Sequence, residues 1–98
     1  MPERIRLSRA KGWKMPPNTV KVDRSTRWGN PWSVTESVTA EMAVAYFEEM
    51  LRNAPALRQV LGYPDPAEIR QALRGKNLAC WCSGPHCHAD VLLEIANA

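Results

Sequence analysis

Asn77-Leu78-Ala79-Cys80-Trp81-Cys82-Ser83-Gly84-Pro85-His86-Cys87-His88-Ala89-Asp90-Val91-Leu92 is the stretch on which the fold turns. Asn77 to Trp81 is a short run, mostly apolar and without strict alternation, which suits a strand buried on both faces. Ser83-Gly84-Pro85-His86 carries the turn formers that end it. Beyond the turn, Val91, Leu92 and Ile95 recur at helical spacing. A helix is therefore expected to open at Cys87 or His88, with Asp90 in its first turn, where a carboxylate complements the helix dipole. A buried strand passing through a tight turn into a helix is a unit of an α/β domain.

The segments before it extend the pattern. Asp65-Pro66-Ala67-Glu68 is a helix start, with an aspartate cap, proline at the first helical position and glutamate placed to bond back. Gly75 suits the end of that helix. Pro55 opens a shorter helix that ends near Gly62. Thr39 caps a helix from Ala40 to about Asn53, with Glu41 in its first turn. Met42, Ala43, Ala45, Tyr46, Phe47 and Met50 are its expected buried stripe. Thr19 to Val22 reads as a β-branched strand, and Arg4 to Ser8 as a half-buried strand with Ile5 and Leu7 on one side. Irregular loops hold Gly12, Pro16 and Pro17, and then Gly29, Asn30 and Pro31. The order predicts one small α/β domain over residues 1–98, with a short, mostly parallel sheet of about three strands and flanking helices. If the second and third strands are parallel neighbours, the intervening helices form a right-handed crossover. The Trp28–Trp32 and Cys80–His88 loops then both leave carboxyl ends of strands, the edge where open α/β sheets bind ligands.

Charge is uneven along the chain. Residues 1–28 carry eight basic side chains against two acids, Glu3 and Asp23, a net of +6, while the whole chain is only +3. A basic arm on an acidic body points to an anionic partner, a nucleotide or nucleic acid, with a solvated basic face as the plain alternative. No apolar run approaches the roughly 20 residues of a membrane helix, and the first residues lack the apolar stretch of a secretory signal. Three cysteines, two of them one residue apart, do not resemble a disulfide framework. A cytoplasmic protein without membrane partners is the expectation.

Cys80, Cys82, Cys87, His86 and His88 put three thiols and two imidazoles within nine residues. Two chemistries compete there. Zinc prefers four ligands in tetrahedral array, which Cys80, Cys82, Cys87 and His88 or His86 would supply, although Cys80-x-Cys82 and adjacent Cys87-His88 depart from common ligand spacings. In the rival reading, Cys87 at a helix N-terminus is a lowered-pKa thiol with His88 as its base, Cys82 beside it and Asp90 orienting the imidazole. Cys80 alone reads as core packing. Trp28-Gly29-Asn30-Pro31-Trp32 forms the second candidate segment. Its tryptophans suit a stacking platform, as does Trp81, and Asn30 has the donor and acceptor that read a base edge. Arg24 and Arg27 are placed to hold phosphate. In the plain alternative, the tryptophans cap the core and Gly29-Asn30 only turns the chain.

Lys11-Gly12-Trp13, Pro16, Val20 to Asp23, Arg27-Trp28-Gly29-Asn30-Pro31, Gly75 to Cys82 and Cys87-His88-Ala89-Asp90 together resemble the domain of unknown function 4326 family. The resemblance covers nearly the whole chain. It implies an origin of the phage or bacterial kind and marks Trp28, Gly29, Asn30, Pro31, Cys80, Trp81, Cys82, Cys87, His88 and Asp90, without bringing an activity. The cysteine segment is also similar to domain of unknown function 488, where a glutamate stands about where Cys82 is. The functional expectation is binding or modification of a nucleotide or nucleic-acid-derived ligand at a cleft between the two motifs. Its alternatives are a zinc-stabilised binding module without catalysis and an accessory protein that contacts a host protein.

Overall fold

The computed structural model describes residues 2–81 and 86–98. Three strands, β1 (Arg4–Arg6), β2 (Thr19–Lys21) and β3 (Asn77–Cys80), form a parallel sheet in the order β1-β3-β2. Helices α1 (Ala40–Asn53), α2 (Pro55–Leu61) and α3 (Pro66–Leu73) lie between β2 and β3 in the chain, and α4 (His88–Ala96) follows β3. This is the small α/β domain that the sequence predicts. The buried run Leu78–Cys80 forms the central strand because only the middle of the sheet is paired on both edges and covered on both faces. Among the described residues, no helix is long and apolar enough to cross a membrane.

The caps form where side-chain chemistry calls for them. Thr39 Oγ1 accepts from the Met42 N–H, and Asp65 Oδ1 accepts from the Glu68 N–H at 2.8 Å. Glu68 differs from expectation: its carboxylate is bonded by Arg27. Gly75, at φ +77°, releases the chain from α3 into β3. The buried face of α1 is Ala43, Phe47, Met50 and Leu51. At 100° per residue Ala45 lies opposite that face and Tyr46 on its edge, so both are exposed and Leu51 takes the core position instead.

Register decides which side chains meet. Leu78 is flanked by Arg4 and Val20, Ala79 by Ile5 and Lys21, and Cys80 by Arg6. Leu78 and Cys80 alternate onto one face and pack with Val22, Phe47, Ile69 and Leu92. Helix α4 rests on β3 and β1 and against α1 and α3. Arg4 is thereby carried to the helix-covered face at the sheet edge, although the alternation in β1 had suggested that Ile5 faces the core. Arg4 then reaches Asp90 of α4 at 3.1 Å.

Candidate functional site

The carboxyl ends of β2 and β3 open onto a cleft of about 220 Å³, on the edge that the parallel topology designates. Asp23, Arg24 and Asn30 enter it from the loop after β2. Cys80, Trp81, His86, Cys87 and His88 enter it from the other segment, and Ala43 and Val44 of α1 supply apolar wall.

Asp23 joins the two segments. Its buried carboxylate accepts from the Ser25 hydroxyl at 2.5 Å, the Ser25 N–H at 3.1 Å and the Trp81 indole N–H at 2.9 Å, with the Lys21 ammonium 3.7 Å away. Burial pushes its pKa up. The bonds from Ser25 and Trp81 and the charge of Lys21 outweigh that and hold the carboxyl below its ordinary range. The bond fixes the Trp81 ring, which is 42% exposed and carries the Arg9 guanidinium 4.9 Å from its centroid.

The thiols are arranged more closely than sequence spacing suggests. Cys87 is the N-cap residue of α4, and its Sγ lies 2.9 Å from that of Cys80. Both are buried in the cleft wall. Arg4 donates to Asp90, and its guanidinium also feels the Cys87 sulfur. Burial disfavours its charge, but Asp90 and then the sulfurs of Cys87 and Cys80 reverse that and raise its pKa. A guanidinium and a helix N-terminus both favour a thiolate over a thiol. His88 supplies the third part. Its Nε2 lies 2.7 Å from the Val22 carbonyl oxygen. A carbonyl only accepts, so Nε2 carries the hydrogen and Nδ1 of the neutral ring is bare. Nδ1 faces Cys87 Sγ at 3.9 Å, and Phe47 stands edge-on to the imidazole at 5.5 Å. Asp90, expected to orient His88, bonds Arg4 instead, and Val22 does the orienting.

Among the described residues, no three His, Cys, Asp or Glu side chains stand together as a metal-ligand set. Cys82, expected as a zinc ligand or as a partner of Cys87, lies outside the described residues. A family model described as domain of unknown function DUF4326 matches residues 5–98. The chain belongs to that family. No curated protein and no solved structure matches it.

In this DUF4326 domain the Trp28–Trp32 string is mainly scaffold. Trp28 is a core residue whose carbonyl accepts from the buried Tyr63 hydroxyl at 2.7 Å. Burial raises the pKa of that phenol well above its usual value, against a smaller opposing effect of Arg27. Gly29 backs onto the preceding turn so closely that a Cβ would stand 2.7 Å from the Arg24 Cα. Asn30 lines the cleft but is buried and engaged at both ends. Its Nδ2 donates to the Ala43 carbonyl at 3.0 Å, and its Oδ1 accepts from the Trp32 N–H at 2.9 Å. Arg24 also lines the cleft while bonding the carbonyls of Asn30 and Trp32 at 2.8 and 2.7 Å. Pro31 is exposed, and Trp32 packs on Tyr46 at 5.9 Å. Arg27, expected to hold phosphate, covers the Trp28 ring at 4.5 Å and pairs with Glu68 outside the cleft. The stacking and base-reading roles expected of Trp28 and Asn30 therefore do not match their positions. Trp81 has the exposed ring.

Arg4 and Asp23 were missed as site residues, while His86, expected only as an alternative zinc ligand, lines the cleft. Asp23 had a signal, since it directly follows the carboxyl end of β2, where α/β sites gather. Arg4 had none, because its role depends on the β1–β3 register.

Proposed function

We propose that the DUF4326 domain binds a nucleotide or nucleic-acid-derived ligand, with the planar part of that ligand in the cleft and Cys87 as the group able to modify it. One observation carries this reading. An exposed indole, an arginine and a buried thiol–imidazole pair share a single cleft at the carboxyl edge of a parallel sheet. The volume suits a group the size of one base or sugar, well below the roughly 300–1,000 Å³ of sites for drug-sized ligands. Trp81 offers an aromatic wall of the kind that bases stack against. Cys87 has the surroundings of an activated nucleophile: a guanidinium, a helix N-terminus and a bare imidazole nitrogen.

The experiment titrates the full chain with nucleobases, nucleosides and nucleotides while following tryptophan fluorescence and iodoacetamide labelling of Cys87. A ligand in the cleft quenches emission, and Trp81→Phe abolishes that quench. The same ligand shields Cys87 in proportion to occupancy. If no nucleobase, nucleoside or nucleotide changes emission or labelling at millimolar concentration, the cleft serves another chemistry.

A further inference from the structure

Trp81 is the shared wall of two cavities. One is the cleft already described. The other, which also has Trp81 in its lining, is an open basin of about 400 Å³ bounded by Arg6, Leu7, Ser8 and Arg9. Its chemistry differs. Two exposed guanidinium groups, Arg6 and Arg9, border it, and neither makes an ion pair among the described residues. Arg4, Arg27, Arg52 and Lys21 each have a carboxylate partner. Ser8 Oγ accepts from the Ala10 N–H at 3.0 Å, which leaves its hydroxyl hydrogen free to donate into the basin.

The sequence pointed to Arg24 and Arg27 as the phosphate-binding pair, yet Arg27 is paired to Glu68 and Arg24 ties down its own loop. The anion-binding capacity next to the cleft is on β1 and the residues that follow it. Parallel pairing sets it there: Arg6 lies beside Cys80 in register, and Leu7 N–H bonds the Cys80 carbonyl at 2.8 Å. The chain that ends in Trp81 thus runs alongside the chain that ends in Arg9, and the Arg9 guanidinium settles over the indole.

We infer that Arg6, Ser8 and Arg9 form an anion subsite, so that the ligand of the cleft is a phosphorylated nucleoside whose planar part lies in the cleft and whose phosphate lies in the adjoining basin, with Trp81 lining both. This rests on the nucleotide reading above and narrows it, because it excludes free bases and nucleosides as the preferred ligands. Guanidinium groups suit this task, since their paired N–H donors match phosphate oxygens.

Calorimetric titration at low salt compares each nucleoside with its 5′-monophosphate, with inorganic phosphate as a third probe, on the full chain and on Arg9→Gln and Arg6→Gln. Both residues are exposed, so the variants should fold as the parent does. The monophosphate is expected to bind at least about tenfold more tightly than its nucleoside, a difference of roughly 1.4 kcal/mol. That advantage should shrink in each variant and with added salt. A nucleoside that binds as tightly as its monophosphate overturns the subsite while leaving the nucleotide reading of the cleft intact. So does an advantage unchanged in both variants. Absence of binding by either class removes both proposals.

Discussion

Asn30→Asp separates a scaffold role from a ligand-reading role, because the exchange preserves shape and replaces one NH₂ group by oxygen. In the parent, Nδ2 donates to the Ala43 carbonyl at 3.0 Å inside the protein. In the variant, an ionised carboxylate at that point has no hydrogen to give and faces a carbonyl oxygen. Loss of the bond costs about 1 kcal/mol, and stranding the buried charged group adds about 1–3 kcal/mol. A total of roughly 2–4 kcal/mol corresponds to a melting temperature lower by about 10–25 °C for a domain of this size. The loss should depend on pH in a defined direction. Only the protonated acid can donate to Ala43, so the new carboxyl has a folded-state pKa above its unfolded value of about 3.9. The variant is therefore nearest the parent below about pH 4. It loses stability as pH rises toward the folded-state pKa and stays low beyond it. Thermal unfolding followed by circular dichroism, taken as variant minus parent from about pH 3.5 to 8, checks this. A variant as stable as the parent at neutral pH, with altered nucleotide selectivity, would refute the scaffold assignment and return Asn30 to the role of base reader.

Tyr63→Phe removes the hydroxyl that donates to the Trp28 carbonyl at 2.7 Å, and should lower unfolding free energy by about 1–2 kcal/mol with an unchanged urea m-value. A smaller effect means that water reaches that carbonyl. For the thiols, Cys87 is expected to react with iodoacetamide at a pH below the ordinary value of about 8.5, and Arg4→Gln should move that profile upward. Peptide mapping that finds Cys80 reacting before Cys87, or no response to Arg4→Gln, would show that the cation does not activate the thiol.

The elements were legible in sequence because each rests on local chemistry. Thr39 and Asp65 bond the backbone within their own first turns, and Gly75 meets a local backbone requirement. The meeting of the two motif segments was also legible, through the rule that parallel strands present their carboxyl ends together. What did not read out was the division of labour inside the site. Trp28 and Trp81 are the same residue type near the same cleft. One is buried because Gly29 packs its turn against Arg24, and the other is exposed because it leaves the last paired position of β3. Arg4, Arg24 and Arg27 are equally basic in sequence. Which of them meets a thiol, a carbonyl or a carboxylate depends on contacts 41 and 86 residues away for two of the three, and no local pattern encodes these.

The position of Val22 links the scaffold to the chemistry. Its N–H bonds the Ala79 carbonyl at 2.8 Å and its carbonyl accepts from His88 Nε2 at 2.7 Å, so the end of β2 is tied to β3 and to the first turn of α4. A base acting through Nδ1 keeps this arrangement. Were Nδ1 to take a proton from Cys87, as the proposed reading has it, Nε2 would retain its hydrogen, and the bond to Val22 would strengthen because the donor would be charged. No ring flip or backbone shift is needed. Metal ligation through Nε2 would break that bond and leave the Val22 carbonyl buried without its partner, at a cost of about 1–3 kcal/mol. On the proposed reading, the packing of His88 suits proton transfer with Cys87 better than metal ligation through Nε2, and that preference comes from the backbone of Val22, 66 residues earlier in the chain.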